Sequence, residues 1–176
     1  MRPTSIYSQR GVTLAVTLIF MFVLFLVGVS AVRVSLVEEK MTGNLRDKHI
    51  AFEASESGLV TAEEWLDGLH DYPEPTDAGV HQVWKLGLPG TGGWWKGNAK
   101  TWWTANGVAA AGNTLQYAAP RYIIEERSFS QKGENLVMGD GPVKQGKFYY
   151  QITSRGHGGA GNTRVHLRST FVKRYD

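Results

Sequence analysis

Between Arg10 and Arg33 the chain carries no charged residue. From Val12 to Val32 it reads VTLAVTLIFMFVLFLVGVSAV, and Gln9-Arg10-Gly11 leads into it. A helix needs about 20 consecutive apolar residues to cross a bilayer, whereas the apolar core of a secretory leader has about 7–15. The run 12–32 has the first length, and a charge near its centre would cost about 2.5–3.5 kcal/mol. Arg2 and Arg10 precede the run, and the first acid is Glu38. The positive-inside bias therefore keeps the N-terminal side in the cytoplasm and places everything after Arg33 beyond the membrane. Two other readings stay open: cleavage at the small residues Val29-Ser30-Ala31, and a plain uncleaved signal anchor. A membrane-spanning helix is favoured because helix-forming sequence continues past Arg33.

The continuation, 33–71, is amphipathic. Met41, Leu45, Phe52, Ser55, Leu59, Ala62, Leu66 and Leu69 recur at steps of three, four or seven, which places them on one helical face. Charged residues such as Lys40, Arg46, Glu53, Glu56 and Glu64 fill the other faces. Gly43 and Gly58 interrupt the pattern, each about 1 kcal/mol less favourable than alanine, and mark points of bending or close packing. Pro73 and Pro75 forbid continuation, so the helix should end near Gly68 to Asp71. A helix from Val12 to Asp71 would be about 90 Å long. A head of about a hundred residues cannot cover it, so the upper half needs lipid and then neighbouring helices, as in a filament subunit.

The 176 residues leave one modest domain, 72–176, behind the helix. A net charge of +3 gives nucleic-acid binding little electrostatic support. With no cysteine, disulfides, thiol catalysis and Cys-based zinc sites are excluded. Glycine is abundant beyond Gly68, and no internal repeat is visible. The stretch 72–119 reads as a Trp- and Gly-rich loop region holding Trp94-Trp95 and Trp102-Trp103. Beyond it, 120–176, Arg121 to Phe129, Lys147 to Ser154 and Thr163 to Lys173 read as strands; in the last, Val165, Leu167, Ser169 and Phe171 alternate with His166, Arg168, Thr170 and Val172. The expectation is an α+β chain with a small antiparallel sheet on the lower half of the helix.

These residues resemble a type IV pilin, and specifically the PilX-type minor pilin family. The likeness lies in the basic leader ending QRG, in LVEEKMTGNLRDKHIAFEASESGL from Leu36, and in PRYIIEE with YYQITSRGHGGAGNTRVHLRSTFV. It covers about half the chain and leaves Asp71 to Ala119 unmatched. The resemblance implies the type IV pilin fold and a leader, 1–11, removed by a prepilin peptidase that cuts after Gly11 and N-methylates Val12. Pilins often begin with phenylalanine there, and major pilins carry glutamate at the fifth mature position, which here is Val16. In such filaments that glutamate is thought to neutralise the terminal amine of a neighbour. With Val16 the chain cannot offer the pairing, which suits a filament tip or a priming complex better than the shaft.

Gly28 within the apolar run and Glu38-Glu39 just beyond it join Val16 as assembly candidates, the two acids as a solvated or inter-subunit charge patch. The implied partners are other minor pilins, the major pilin, the prepilin peptidase and the inner-membrane assembly platform. The implied location is the inner membrane, single-pass with the head in the periplasm, and then the extracellular pilus, with twitching motility and adhesion as associated processes. Two alternatives remain: a minor pseudopilin of type II secretion, and a pilus-borne adhesin.

Trp94, Trp95, Trp102 and Trp103 are a candidate ligand surface, since indole faces stack on sugars; the plainer reading is that they pin a long loop onto the sheet. Gly156-His157-Gly158-Gly159-Ala160-Gly161 lacks the Lys-Ser/Thr and the following helix of a phosphate loop and reads as a hairpin turn. Glu134, Asn135 and Asp140 are oxygen ligands without the calcium-loop spacing. His49, His70, His81, His157 and His166 show no metal spacing and read as surface residues. No nucleophile signature groups Asp, His and Ser. No cofactor, metal or catalytic residue is expected.

Overall fold

The computed structural model describes residues 10–77, 83–90, 92–131 and 146–175. Arg2, His81 and the calcium candidates Glu134, Asn135 and Asp140 lie outside them. A single helix, α1 (Arg10–Gly68), ends where the approaching prolines require. The chain divides into two compact units, one ending at Leu45 and the other beginning at Arg46.

Among the described residues of the first unit nearly all apolar side chains are uncovered: Val16 is 58% and Phe25 66% exposed. Thr17 donates its hydroxyl to the Leu14 carbonyl at 2.9 Å, which satisfies that polar group inside the helix itself.

The second unit is built on a five-stranded sheet of β1 (Val83–Lys85), β2 (Val108–Ala109), β3 (Arg121–Gln131), β4 (Gly146–His157) and β5 (Arg164–Tyr175). Strands β3, β4 and β5 are antiparallel neighbours, as their alternation suggests. The sheet is nevertheless mixed. Strand β1 runs parallel to β3, pairing Val83 with Ile124, while β2 is antiparallel to β3 and pairs Val108 with Tyr122. These two short strands share the free edge of β3 and shorten what would be an open ladder. Neither is long enough to show a two-residue period, so both escape a sequence reading.

The two faces of the sheet are covered differently. On one face Tyr122 and Ile124 of β3 and Phe148, Tyr150 and Ile152 of β4 pack with Val83 and with Ala62 and Leu66 of α1. The buried stripe of α1 is Ala51, Ala54, Ser55, Gly58, Ala62 and Leu66. Phe52, expected in the stripe, is instead 44% exposed. The stripe is made of small residues because the helix lies very close to β4. A Cβ on Gly156 would collide with the Ala51 carbonyl oxygen and the Ser55 nitrogen, and one on Gly58 with the Ser154 hydroxyl. Ser55 donates to the Ser154 carbonyl at 3.2 Å. At the end of α1, Lys173 of β5 donates to the Leu66 and Asp67 carbonyls at 2.6 and 2.5 Å and also to that of Leu69. The carbonyls at a helix C-terminus need such donors, and a cation there also suits the helix dipole.

The opposite face is covered by 92–107, and the stretch 72–119 is not the irregular loop expected. It contains α2 (Trp94–Gly97) and α3 (Lys100–Asn106) as well as β1 and β2. Trp84, Trp94 and Trp103 form a second core with Ile123, flanked by Trp95 and Trp102. Strand β4 is consequently buried on both sides from Ile152 to His157.

Candidate assembly interface

The assembly candidates all lie on the exposed part of α1. Gly11, Val12, Val16, Gly28, Glu38 and Glu39 are solvent-accessible. At about 100° per residue, Gly28 and Glu39 share one face, while Val12 and Val16 lie on another with Glu38 nearer to them. Apart from the helix's own backbone, nothing among the described residues comes within 4 Å of where a Cβ on Gly28 or Gly43 would stand. At Gly58 the chain's own packing leaves little room for a side chain; at Gly28 no contact among the described residues calls for glycine. Soluble monomers rarely leave so continuous an apolar surface open. By length and composition this helix is able to cross a membrane, with mean hydropathy 2.8 over its most apolar window and none of that window buried.

The four tryptophans do not form a common surface. Trp94 and Trp103 are 8% and 1% exposed and stack with ring centroids 5.5 Å apart. They are core residues. Trp95 and Trp102 are half-buried at the edges of the cluster. The Arg168 guanidinium stands over Trp95, 3.8 Å from the ring centroid, and its Nε donates to Thr153 Oγ1 at 3.1 Å. The same guanidinium lies 3.9 Å from the Glu125 carboxylate. Glu125 is 1% exposed, and burial raises its pKa against the opposing pull of the Gly87 N–H, which donates to it at 3.3 Å, and of Arg168. Trp65 and Trp84 meet Asn106 and Tyr122 around a cavity of about 10 Å³, room for one water at most. The aromatic segment is thus a lid on the sheet, the plainer of the two readings of its tryptophans.

The Gly-rich turn between β4 and β5 carries an internal anion. Asp47 of α1 accepts the Ala160 backbone N–H at 3.1 Å. Its carboxyl is held below the usual range chiefly by the Thr163 hydroxyl, with Ala160 and Gly159 adding to it. Asp47 reads in sequence as one more charge on the helix surface; nothing in spacing links it to a turn more than a hundred residues away. His157 and His166, expected at the surface, are also placed otherwise. His157 is 5% exposed and His166 is partly buried beside Trp103. Among the described residues no group of three or more His, Cys, Asp or Glu is arranged to hold a metal.

A long helix, apolar and open in its first unit, followed by a mixed-sheet head defines an α+β protein of the pilin kind. The chain belongs to the PilX family of type IV pilus assembly proteins: the family's C-terminal profile matches residues 52–173 and its N-terminal profile residues 10–60. No curated protein and no solved structure matches it. The two profiles together run across 71–119, which the sequence resemblance left unmatched. A chain of this family is a type IV pilus assembly-related minor pilin, a structural protein that works with other pilus components.

Proposed function

We propose that this minor pilin primes pilus assembly, or sits at the filament tip, after passing from the inner membrane into the filament. The observation that carries this is the open helix surface around Val16. It offers neighbours apolar area, at about 25 cal/mol per Å² buried, but no carboxylate to neutralise a neighbour's terminal amine. Such a subunit packs laterally yet is a poor repeating unit.

In this reading the prepilin peptidase cuts between Gly11 and Val12 and methylates Val12. The N-terminus faces the cytoplasm, and the head lies in the periplasm until extrusion. Gly28 and Glu38-Glu39 contact other minor pilins, the major pilin or the assembly platform. An adhesive role would rest on Trp95 and Trp102, the two cluster members with accessible indole. The test is immunogold labelling of an epitope-tagged chain on sheared pili, with Val16→Glu as the companion variant. Label at ends, or loss of pili on deletion with almost no label on the shaft, supports the proposal. Even label along the shaft overturns it. Val16→Glu is expected to move label into the shaft.

A further inference from the structure

Beneath the exposed residues Lys100, Thr104 and Ala119 lies a cavity of about 20 Å³, with Trp103, Arg155 and His157 as its buried lining and Arg121 beside them. Arg155 is 2% exposed, and no acid among the described residues pairs with it. Its Nη1 donates to the Asn98 carbonyl at 3.1 Å, but its Nε has no partner. The indole Nε1 of Trp103 and Nδ1 of His157 are buried and unpartnered as well. Buried charges are almost always paired, and a buried donor without an acceptor is costly. The groups acting on His157 and Arg155 are cations only: Arg155, Lys100 and Arg164 on the first, Arg164 on the second. His157 is accordingly held near 4, first by burial and then by those charges, so Lys100, Arg121 and Arg155 supply the cleft's positive charge at neutral pH. Arg121 is engaged with the Thr104 and Gly107 carbonyls at 3.1 and 2.8 Å, which leaves for a ligand Arg155 and Lys100, whose ammonium stands 3.9 Å from the Tyr117 ring centroid and keeps its donors open.

We propose that this cleft is a receptor for a single carboxylate. Its volume holds a single oxygen, so a carboxylate seats one oxygen inside and leaves the other at the mouth beside Lys100, where a four-oxygen phosphate is bulkier. The carboxylate enters past Lys100 and accepts from the Arg155 Nε–H, a charge-assisted bond of the stronger kind. Its source is either a free carboxylate or an acidic side chain of a neighbouring subunit; the second source rests on the assembly role proposed above, the first does not.

The test uses the full chain in detergent with isotope-labelled histidine, His157 being assigned with His157→Gln. Sodium acetate is titrated at constant ionic strength against chloride, with phosphate as a parallel series. Expected are a saturable shift of the His157 resonances with acetate, a response to acetate at least about tenfold stronger than to chloride or phosphate, and about tenfold weaker acetate binding in Lys100→Ala, the scale of losing one charged partner. Arg155→Lys should weaken binding further. Lys100 is on the rim, so its variant keeps the result readable if Arg155→Lys unfolds. No saturable shift, or equal shifts with chloride or phosphate, overturns the proposal. The source is read by replacing Thr104 with a photo-crosslinking residue in piliated cells. A crosslink to an Asp- or Glu-bearing peptide of a pilus subunit identifies a neighbour. Acetate binding without a crosslink identifies a free carboxylate.

Discussion

The Asp47 carboxylate on α1 accepts the Ala160 N–H at 3.1 Å and so ties the helix to the turn between β4 and β5. Glycine at Gly158 permits this closeness, since a Cβ there would meet the Asp47 carboxylate and carbonyl at 2.5–2.6 Å. Asp47→Ala should destabilise the head by about 1 kcal/mol, the net worth of a hydrogen bond of this kind, and speed hydrogen exchange at Ala160. Because the Asp47 carboxyl titrates below its ordinary value of 3.8, its stabilising effect is complete above that pH and is lost as pH falls below it. Urea unfolding of wild type and variant, with exchange at the turn, checks both statements.

Close approach of α1 to β4 makes the two glycines at the contact unequal. Gly156→Ala would press a methyl against backbone atoms of Ala51 and Ser55, and backbone cannot swing away. A loss of about 1–3 kcal/mol or more is expected. Gly58→Ala meets a serine hydroxyl that can rotate, so its loss should be smaller. Equal losses in denaturant titrations would contradict this packing.

Gly28 gives the opposite prediction. Apart from its own helix backbone, no described residue lies within 4 Å of its missing Cβ, so Gly28→Ile should leave helix content and head stability unchanged. If the glycine serves neighbouring helices, surface pili counted by electron microscopy should fall. Unchanged piliation would remove Gly28 from the assembly contacts.

The tryptophans should separate by burial. Trp103→Ala is expected to cost about 3–5 kcal/mol, as for other buried large aromatics. Trp95→Ala should cost distinctly less, since that ring is half-exposed and packs under Arg168. Unfolding midpoints of the two variants measure the difference.

Acid should weaken the head through His157 and His166. Both titrate near 4, mainly because of burial, with Arg155 the leading charge in each case; Lys100 and Arg164 also face His157, and Arg164, His157 and Lys96 face His166. Unfolded, each takes up a proton near 6.5; folded, it does so only near 4. The unfolded chain therefore binds more protons in that window, and stability falls as pH drops from about 6.5 to about 4 and then levels off. The scale is at most about 1.4 kcal/mol per pKa unit for each group. Urea midpoints between pH 7 and 4 should show the slope, and His157→Gln with His166→Gln should flatten it.

Much of this architecture was legible because it rests on long periodic segments. The uncharged run, the stop before Pro73 and the three long strands follow from length, charge and alternation. The helix stripe was only partly legible. Contact with β4 is set by closeness, so Ala51, Ala54 and Gly58 are buried where a search for bulky residues selects Phe52. The second core could not be read from 72–119 alone, because Trp84, Trp94 and Trp103 close on Ile123 of β3, which lies beyond that stretch. Asp47, Lys173 and Arg155 act likewise through partners that no local pattern announces. The Trp pairs admit two readings in sequence, a ligand surface or a loop pinned onto the sheet, and the sheet's second face, which needs a cover, favours the latter.

Intact-mass spectrometry of the protein extracted from membranes tests the central claim most directly. The account predicts a chain lacking Met1 to Gly11, beginning at Val12 and heavier by one methyl group. A full-length chain, or one cut after Ala31, would contradict it.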